Sequence, residues 1–137
     1  MAKYLSQEWL DLGKSAVNNN SEFRRLATRM NLTIYHVIRD VPNRGTMYFW
    51  STFRNGECVE VSLGKKSDVN FTLTAPFSIW KQIHEGALDI VQAVLEQNLK
   101  VEGKPVKGLK ILKLAPLMNK IIAELDTDFS EFTTITS

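Results

Sequence analysis

Apolar residues recur along this chain with two different periods, and the points where the period changes divide it into elements. Trp9, Leu10, Leu12, Gly13, Ala16 and Val17 keep helical spacing behind Ser6, a plausible N-cap, and the run stops at Asn18-Asn19-Asn20. Ser21 is expected to cap a second helix, Glu22 to Met30, with Phe23, Leu26, Ala27 and Met30 on one side and Arg24, Arg25 and Arg29 largely on the other. From Asn31 the period shortens to two. Leu32, Ile34, His36 and Ile38 face one way and Thr33, Tyr35, Val37 and Arg39 the other, the alternation of a half-buried strand. Pro42-Asn43-Arg44-Gly45 turns the chain into a second strand, Thr46 to Arg54, where Met47, Phe49, Ser51 and Phe53 alternate with Tyr48, Trp50, Thr52 and Arg54. Asn55 and Gly56 both tolerate positive φ, so a tight hairpin returns Cys58 to Leu63 antiparallel.

After a polar loop, Val69, Phe71 and Leu73 alternate with Asn70, Thr72 and Thr74 in a fourth strand, and Pro76 opens a helix in which Trp80 and Ile83 share a face. Gly86 supplies the conformation that ends it. Asp89 and Gln92 then predict a capping-box variant, the Asp accepting a backbone N–H and the Gln reaching back. Behind that cap Ile90, Val91, Val94 and Leu95 form one apolar stripe. A short fifth strand at Leu99 to Glu102 leads through Gly103-Lys104-Pro105 to a helix of a few turns carrying Val106, Leu109 and Leu112. Pro116 predicts a fresh helix start, followed by the apolar face Leu117, Met118, Ile121, Ile122 and Leu125. Residues 126–137 read as a loose polar tail in which Phe129 and Phe132 are candidates to fold back. The order of elements predicts an α+β layer arrangement in a single domain spanning 1–137, without repeats or an interdomain linker.

Composition narrows the chemistry. With 44% apolar and 23% charged residues the chain has the balance of a soluble globular protein, and no apolar run reaches the length of a bilayer span. The first residues lack the apolar core of a secretory signal, and the lone Cys58 fits a reducing compartment, so a cytoplasmic location is expected. A net charge of +2 does not call for nucleic acid. His36 and His84 lack metal-ligand spacing, and Gly64-Lys65-Lys66-Ser67 joins two strands where a phosphate loop would open a helix. No nucleophile elbow or dinucleotide fingerprint is present, so neither a cofactor nor a metal is expected. The lysines at 100, 104, 107, 110 and 113 are interleaved with apolar residues. They read first as a solvent-facing rim and second as a landing strip for lipid or coenzyme A phosphates.

The segment from Trp80 through Ile83, Gly86, Asp89 and Ala93 to Leu99-Lys100-Val101-Glu102-Gly103 resembles the signature of the sterol carrier protein 2 (SCP-2) lipid-transfer family. The resemblance runs back through Asn55-Gly56-Glu57-Cys58 and Asn19 to Phe23 as far as Trp9. Gln97 stands where the family usually has Gly, and Lys104 where an acid usually follows. The resemblance implies a sheet of about five strands, mixed or antiparallel, with helices over one face enclosing a hydrophobic cavity. Its walls are expected to be Ile34, Ile38, Phe49, Phe53, Phe71, Leu73, Trp80, Ile83, Val91, Val94, Leu95, Leu109, Leu112, Leu117 and Ile121. Lys100, Lys104, Lys107 and Lys110 are the candidates for a headgroup. The implied function is non-enzymatic binding, and transfer, of a fatty acyl chain, acyl-CoA, phospholipid or sterol-like lipid by a monomer or weak homodimer that touches membranes transiently and binds no nucleic acid. Two alternatives stand beside it: a small α+β enzyme on acyl or polyketide substrates with His36 or an acid as base, and an interaction module with an apolar groove.

Overall fold

The computed structural model describes residues 1–103 and 105–132, the side chains of 105–112 excepted. Five strands form a mixed sheet in the order β4-β3-β2-β5-β6, built from β2 (Leu32–Val41), β3 (Gly45–Arg54), β4 (Glu57–Leu63), β5 (Phe71–Pro76) and β6 (Lys100–Gly103). The β2–β5 pair is parallel and the other three pairs are antiparallel. The register aligns Ile34 with Ser51 and Phe71, and His36 with Phe49 and Leu73, so the expected inner faces of three strands fall on one side. On the opposite side Tyr35 stacks on Tyr48, and the ammonium groups of Lys65 and Lys66 lie over Tyr48 and Trp50.

Helices cover the inner face. In α1 (Gln7–Asn18) the Ser6 hydroxyl accepts the Trp9 N–H at 3.1 Å, and its buried stripe is Trp9, Leu10, Gly13 and Val17. In α2 (Ser21–Leu26) the cap is Asn20, not Ser21: its Oδ1 accepts the Phe23 N–H at 2.8 Å. The helix stops short of the expected Met30 because Arg29 takes a left-handed φ of 72° and the Gly56 N–H bonds the Met30 carbonyl. A Cβ on Gly56 would meet the Ala27 carbonyl oxygen at 2.6 Å, so the hairpin turn can dock there only as glycine.

Helix α3 (Phe77–His84) follows β5 directly. It ends in a Schellman motif, with the Gly86 N–H bonded to Ile83 and the Ala87 N–H to Gln82. The same pattern closes α4 (Ile90–Leu95): Gln97 N–H bonds Val94 and Asn98 N–H bonds Ala93, with Gln97 in the left-handed position at φ 63°. Asp89 caps α4 through Val91, but Gln92 bonds Glu96 four residues on and does not reach back to the cap. Helix α5 (Pro105–Ala123) is continuous through Pro116, where two helices were expected. The ring of Pro116 is on the exposed side while Leu114, Ala115 and Ile121 are buried, so packing of that face outweighs the one backbone bond a proline forgoes.

The tail, expected to be loose with Phe129 and Phe132 as candidates to fold back, is packed through Phe132, and both rings do fold back against Tyr4. Strand β7 (Thr127–Asp128) pairs in parallel with β1 (Ala2–Lys3), and Phe132 is buried against Tyr4 and Phe77. Aromatic burial of this kind outweighs the ordering entropy of a short polar segment.

The two Schellman positions yield a paired expectation. A left-handed non-glycine residue costs roughly 1–2 kcal/mol, part of which glycine returns through its unfolded-state entropy. Gln97→Gly is therefore expected to stabilise the fold by about 0.5–1 kcal/mol. Gly86→Ala is expected to destabilise it, because its Cβ would also meet the Ala123 Cβ at 2.9 Å. Urea midpoints of the two variants, at unchanged slope, check both signs.

A candidate apolar binding cavity

Beneath the inner sheet face lies a cavity of about 120 Å³, partly open to the surface. The sheet contributes Ile34, Phe49, Phe53, Val61 and Leu73, and α1 contributes Trp9, Leu10 and Val17. Trp80 and Ile83 of α3 and Leu114, Ala115, Met118 and Ile122 of α5 close the other side. Gly13 sits where α1 meets α5: a Cβ there would stand 3.2 Å from Ile122, so the missing side chain sets the separation of these two walls. Each wall residue follows from its element's periodicity, and the lining is mainly apolar.

The polar residues of the lining are Lys14, His36, Ser51, His84 and Asn119, with the thiol of Cys58 beside them. Lys14 donates its ammonium to the Val59 carbonyl at 3.3 Å. Asn119 donates through Nδ2 to the Ile83 carbonyl at 3.0 Å, which leaves its Oδ1 buried without a partner. The His36 ring stacks on Phe49 with centroids 4.1 Å apart, and its Nδ1 is likewise buried without a partner. His84 closes α3, where a histidine can serve the terminal carbonyls. Instead it turns inward, stacks on Trp80, and has Nδ1 2.5 Å from the Tyr4 hydroxyl.

Burial decides the ionisation of these groups. Desolvation pushes His36 down to about 3, opposed by the backbone of Phe49. Desolvation and the neighbouring His36 do the same to His84, also to about 3. Burial raises the Cys58 thiol to about 11, which leaves it unreactive, and raises the Tyr4 hydroxyl well above its ordinary value. The cavity's imidazoles are thus neutral at physiological pH.

Of the expected wall residues, Ile34, Phe49, Phe53, Leu73, Trp80 and Ile83 line this cavity. Ile38, Phe71 and Ile121 do not. They are buried in solid core beside it, because the inner face is filled by side chains over part of its area and open over the rest. Leu117 and Val94 are partly buried against that core. Val91 is half-buried, and Leu95 is 72% exposed, because α4 is only six residues long and turns Ile90 and Ala93 inward. The side chains of Leu109, Leu112, Lys107 and Lys110, and the whole of Lys104, lie outside the described residues. Lys100 projects into solvent near Glu102. Sequence reasoning missed the α1 wall of Trp9, Leu10, Gly13 and Val17 although its stripe was legible, because periodicity shows that a face is buried without showing against what.

A mixed sheet covered on one face by helices, with an apolar cavity between the layers, defines a small container domain. The sequence model of the SCP-2 sterol transfer family matches residues 14–116, and the chain belongs to that family. Proteins of this family are lipid carriers. Among curated proteins none matches the sequence. The crystal structure of sterol carrier protein 2 superimposes with a TM-score of 0.79 at 16% identity, covering 90% of this chain and 99% of that one. The solution structure of palmitated SCP2L2 from Aedes aegypti gives 0.63 at 13% identity over 81% of this chain and 95% of that one. A stereoselective inverting sec-alkylsulfatase from Pseudomonas sp. gives 0.51 at 20% identity, over 67% of this chain but only 14% of its own length.

The neutral histidines make stability depend on pH. In the unfolded chain each titrates near 6.5, so between that value and about 3 the unfolded state binds more protons than the folded one. Their contribution is fully present above pH 6.5 and is lost as pH falls toward 3, at a slope on the order of 1 kcal/mol per pH unit for each ring. Urea unfolding at pH 7.5, 6, 5 and 4 is expected to show this decline, and His84→Phe to flatten it.

Proposed function

We propose that the protein binds apolar lipids in this cavity, acyl chains or ring systems, and carries them between membranes without making or breaking a bond. The observation that carries the reading is the mainly apolar enclosure between sheet and helices, in a chain of a lipid-carrier family. At about 120 Å³ the space is on the order of an engineered cavity that takes up benzene, so a long chain must displace wall side chains or extend through the opening. Each buried methylene contributes roughly 0.8 kcal/mol, and association and ordering take back about 4–15 kcal/mol, which leaves a modest affinity and a broad ligand range. The Aedes aegypti neighbour is named as palmitated, and a chain of that length is one that here would need such displacement or the opening.

The carrier reading is preferred to an enzyme that uses His36 as base. An imidazole pushed down to about 3 is a weak base, and no carboxylate stands among the described cavity residues to orient it. The sulfatase likeness spans too little of that enzyme to carry its chemistry here.

Calorimetric titration with alcohols or acids of 8 to 18 carbons is expected to show affinity that climbs with length and then levels off. Met118→Trp, which fills the cavity from α5, should weaken the longest ligand at least about tenfold, a loss of roughly 1.4 kcal/mol. A flat, negligible response across the series would remove the carrier reading.

In the same reading Lys100, Lys104, Lys107 and Lys110 meet lipid phosphates during collision with a membrane. Replacing all four by Gln should slow transfer from anionic vesicles and leave transfer from zwitterionic ones nearly unchanged, because each basic residue near an anionic surface is worth about 1 kcal/mol.

A further inference from the structure

The cavity holds two polar atoms that nothing in the fold uses. Asn119 cannot be turned around to hide its oxygen, because its amide nitrogen is committed to the Ile83 carbonyl and only N–H can donate there. Its Oδ1 is therefore an acceptor, buried and unpartnered, on a residue that lines the cavity. His36 packs against Phe49, 4.1 Å away by centroid, and Trp80 at 5.4 Å, and its Nδ1 is buried without a partner. Burying an unpaired polar group is unfavourable, and a helix or strand interior offers many apolar residues of similar size. Two such groups on the wall of one cavity indicate a use for them.

Their surroundings say what the use is. The polar residues with them are the nearly buried Ser51, the neutral His84 and Lys14, whose ammonium is engaged by the Val59 carbonyl. Among the described lining residues there is no carboxylate and no arginine. An anionic head would have to leave water to face an amide oxygen, and the one cation among the described lining residues, the Lys14 ammonium, is held at the Val59 carbonyl. A neutral hydroxyl can donate to the Asn119 oxygen, and neutral imidazole can donate or accept as its tautomer requires. Building on the carrier reading above, we propose that His36 and Asn119 form an inner recognition subsite for the uncharged hydroxyl end of an apolar ligand, which enters hydroxyl first.

The subsite sorts ligands by their ends, which apolar walls cannot do. A hydroxyl and its methyl ether differ little in apolar area, yet only the hydroxyl can donate to an amide oxygen. A site that leaves buried polar atoms unpaired discriminates against the wrong ligand more strongly than one missing a methylene. Lys100 of β6 is not among the described residues that line the cavity and plays no part in this selection.

The test compares 1-dodecanol, its methyl ether and dodecanoate at pH 8 by calorimetry on the full chain. The wild type is expected to bind the alcohol about tenfold more tightly than either of the others. In Asn119→Leu, and in His36→Phe, which keeps the stacking on Phe49, the ratio of alcohol to ether affinity is expected to fall toward one. Circular dichroism melts confirm folding of each variant, and the wild-type comparison stands should one fail to fold. Equal binding of alcohol and ether by the wild type, tightest binding of dodecanoate, or an unchanged ratio in folded forms of both variants overturns the subsite and leaves the container intact. Binding of none of the three overturns the carrier reading itself, and the subsite with it.

Discussion

The indole of Trp80 joins the two layers of the molecule. Its N–H donates to the Val37 carbonyl at 3.0 Å, and the side chain is wholly buried between the sheet and the helices. Because α3 follows β5 without an intervening loop, this one bond ties both ends of the strand-to-helix corner to the centre of the sheet. Everything that faces the cavity from this side then follows. Ile83 and His84 lie within the next turn of the same helix, His36 packs against the indole, and Asn119 of α5 is held by the Ile83 carbonyl. A large aromatic with one polar handle suits this position, since the ring supplies area and the N–H fixes its orientation.

The inner sheet face serves as core in one part and as cavity wall in another, and the difference is made by what lies above it. Ile38, Phe71 and Ala75 are sealed in the core, while Ile34, Phe49, Phe53 and Leu73 border open space. Gly13 also contributes, by presenting no side chain where α1 approaches Ile122 of α5. Close packing is the rule in protein interiors, and filling such a space would stabilise the fold. A cavity held between the sheet and its helices is therefore stability given up for room.

How much of this could be read from the sequence depends on the kind of question asked. Strand alternation placed residues on the correct inner face because a period of two leaves only two choices, and one face was evidently apolar. The Asn55-Gly56 hairpin, the Gly86 helix end and the Ser6 and Asp89 caps were legible because each rests on local chemistry. Long-range competition was not legible. Pro116 reads locally as a break, but packing on either side carries the helix through it. Phe132 was legible as a residue that folds back, but not its partners Tyr4 and Phe77, which are far away in sequence. Leu95 belongs to an apolar stripe, but α4 is too short to bury both of its edges. For the cavity the limit is deeper, because core and container draw on the same residue types.

The structure adds a polar pattern that periodicity did not single out. His36 occupies an inward position between Ile34 and Ile38, where a plain core would take another aliphatic residue. Ser51 lies directly across from Ile34, also facing inward. Asn119 of α5 stands between Met118 and the exposed Lys120, which precedes the buried Ile121. Each alone has an ordinary structural reading. Together they mark the inner surface where side chains do not simply pack against side chains, since in a filled interior such groups would have to find partners within the protein. Burial keeps the imidazoles neutral, and neutrality lets them remain inside without a counter-ion. The groups that lower the quality of this interior as a core are the ones that give its cavity a distinguishable end.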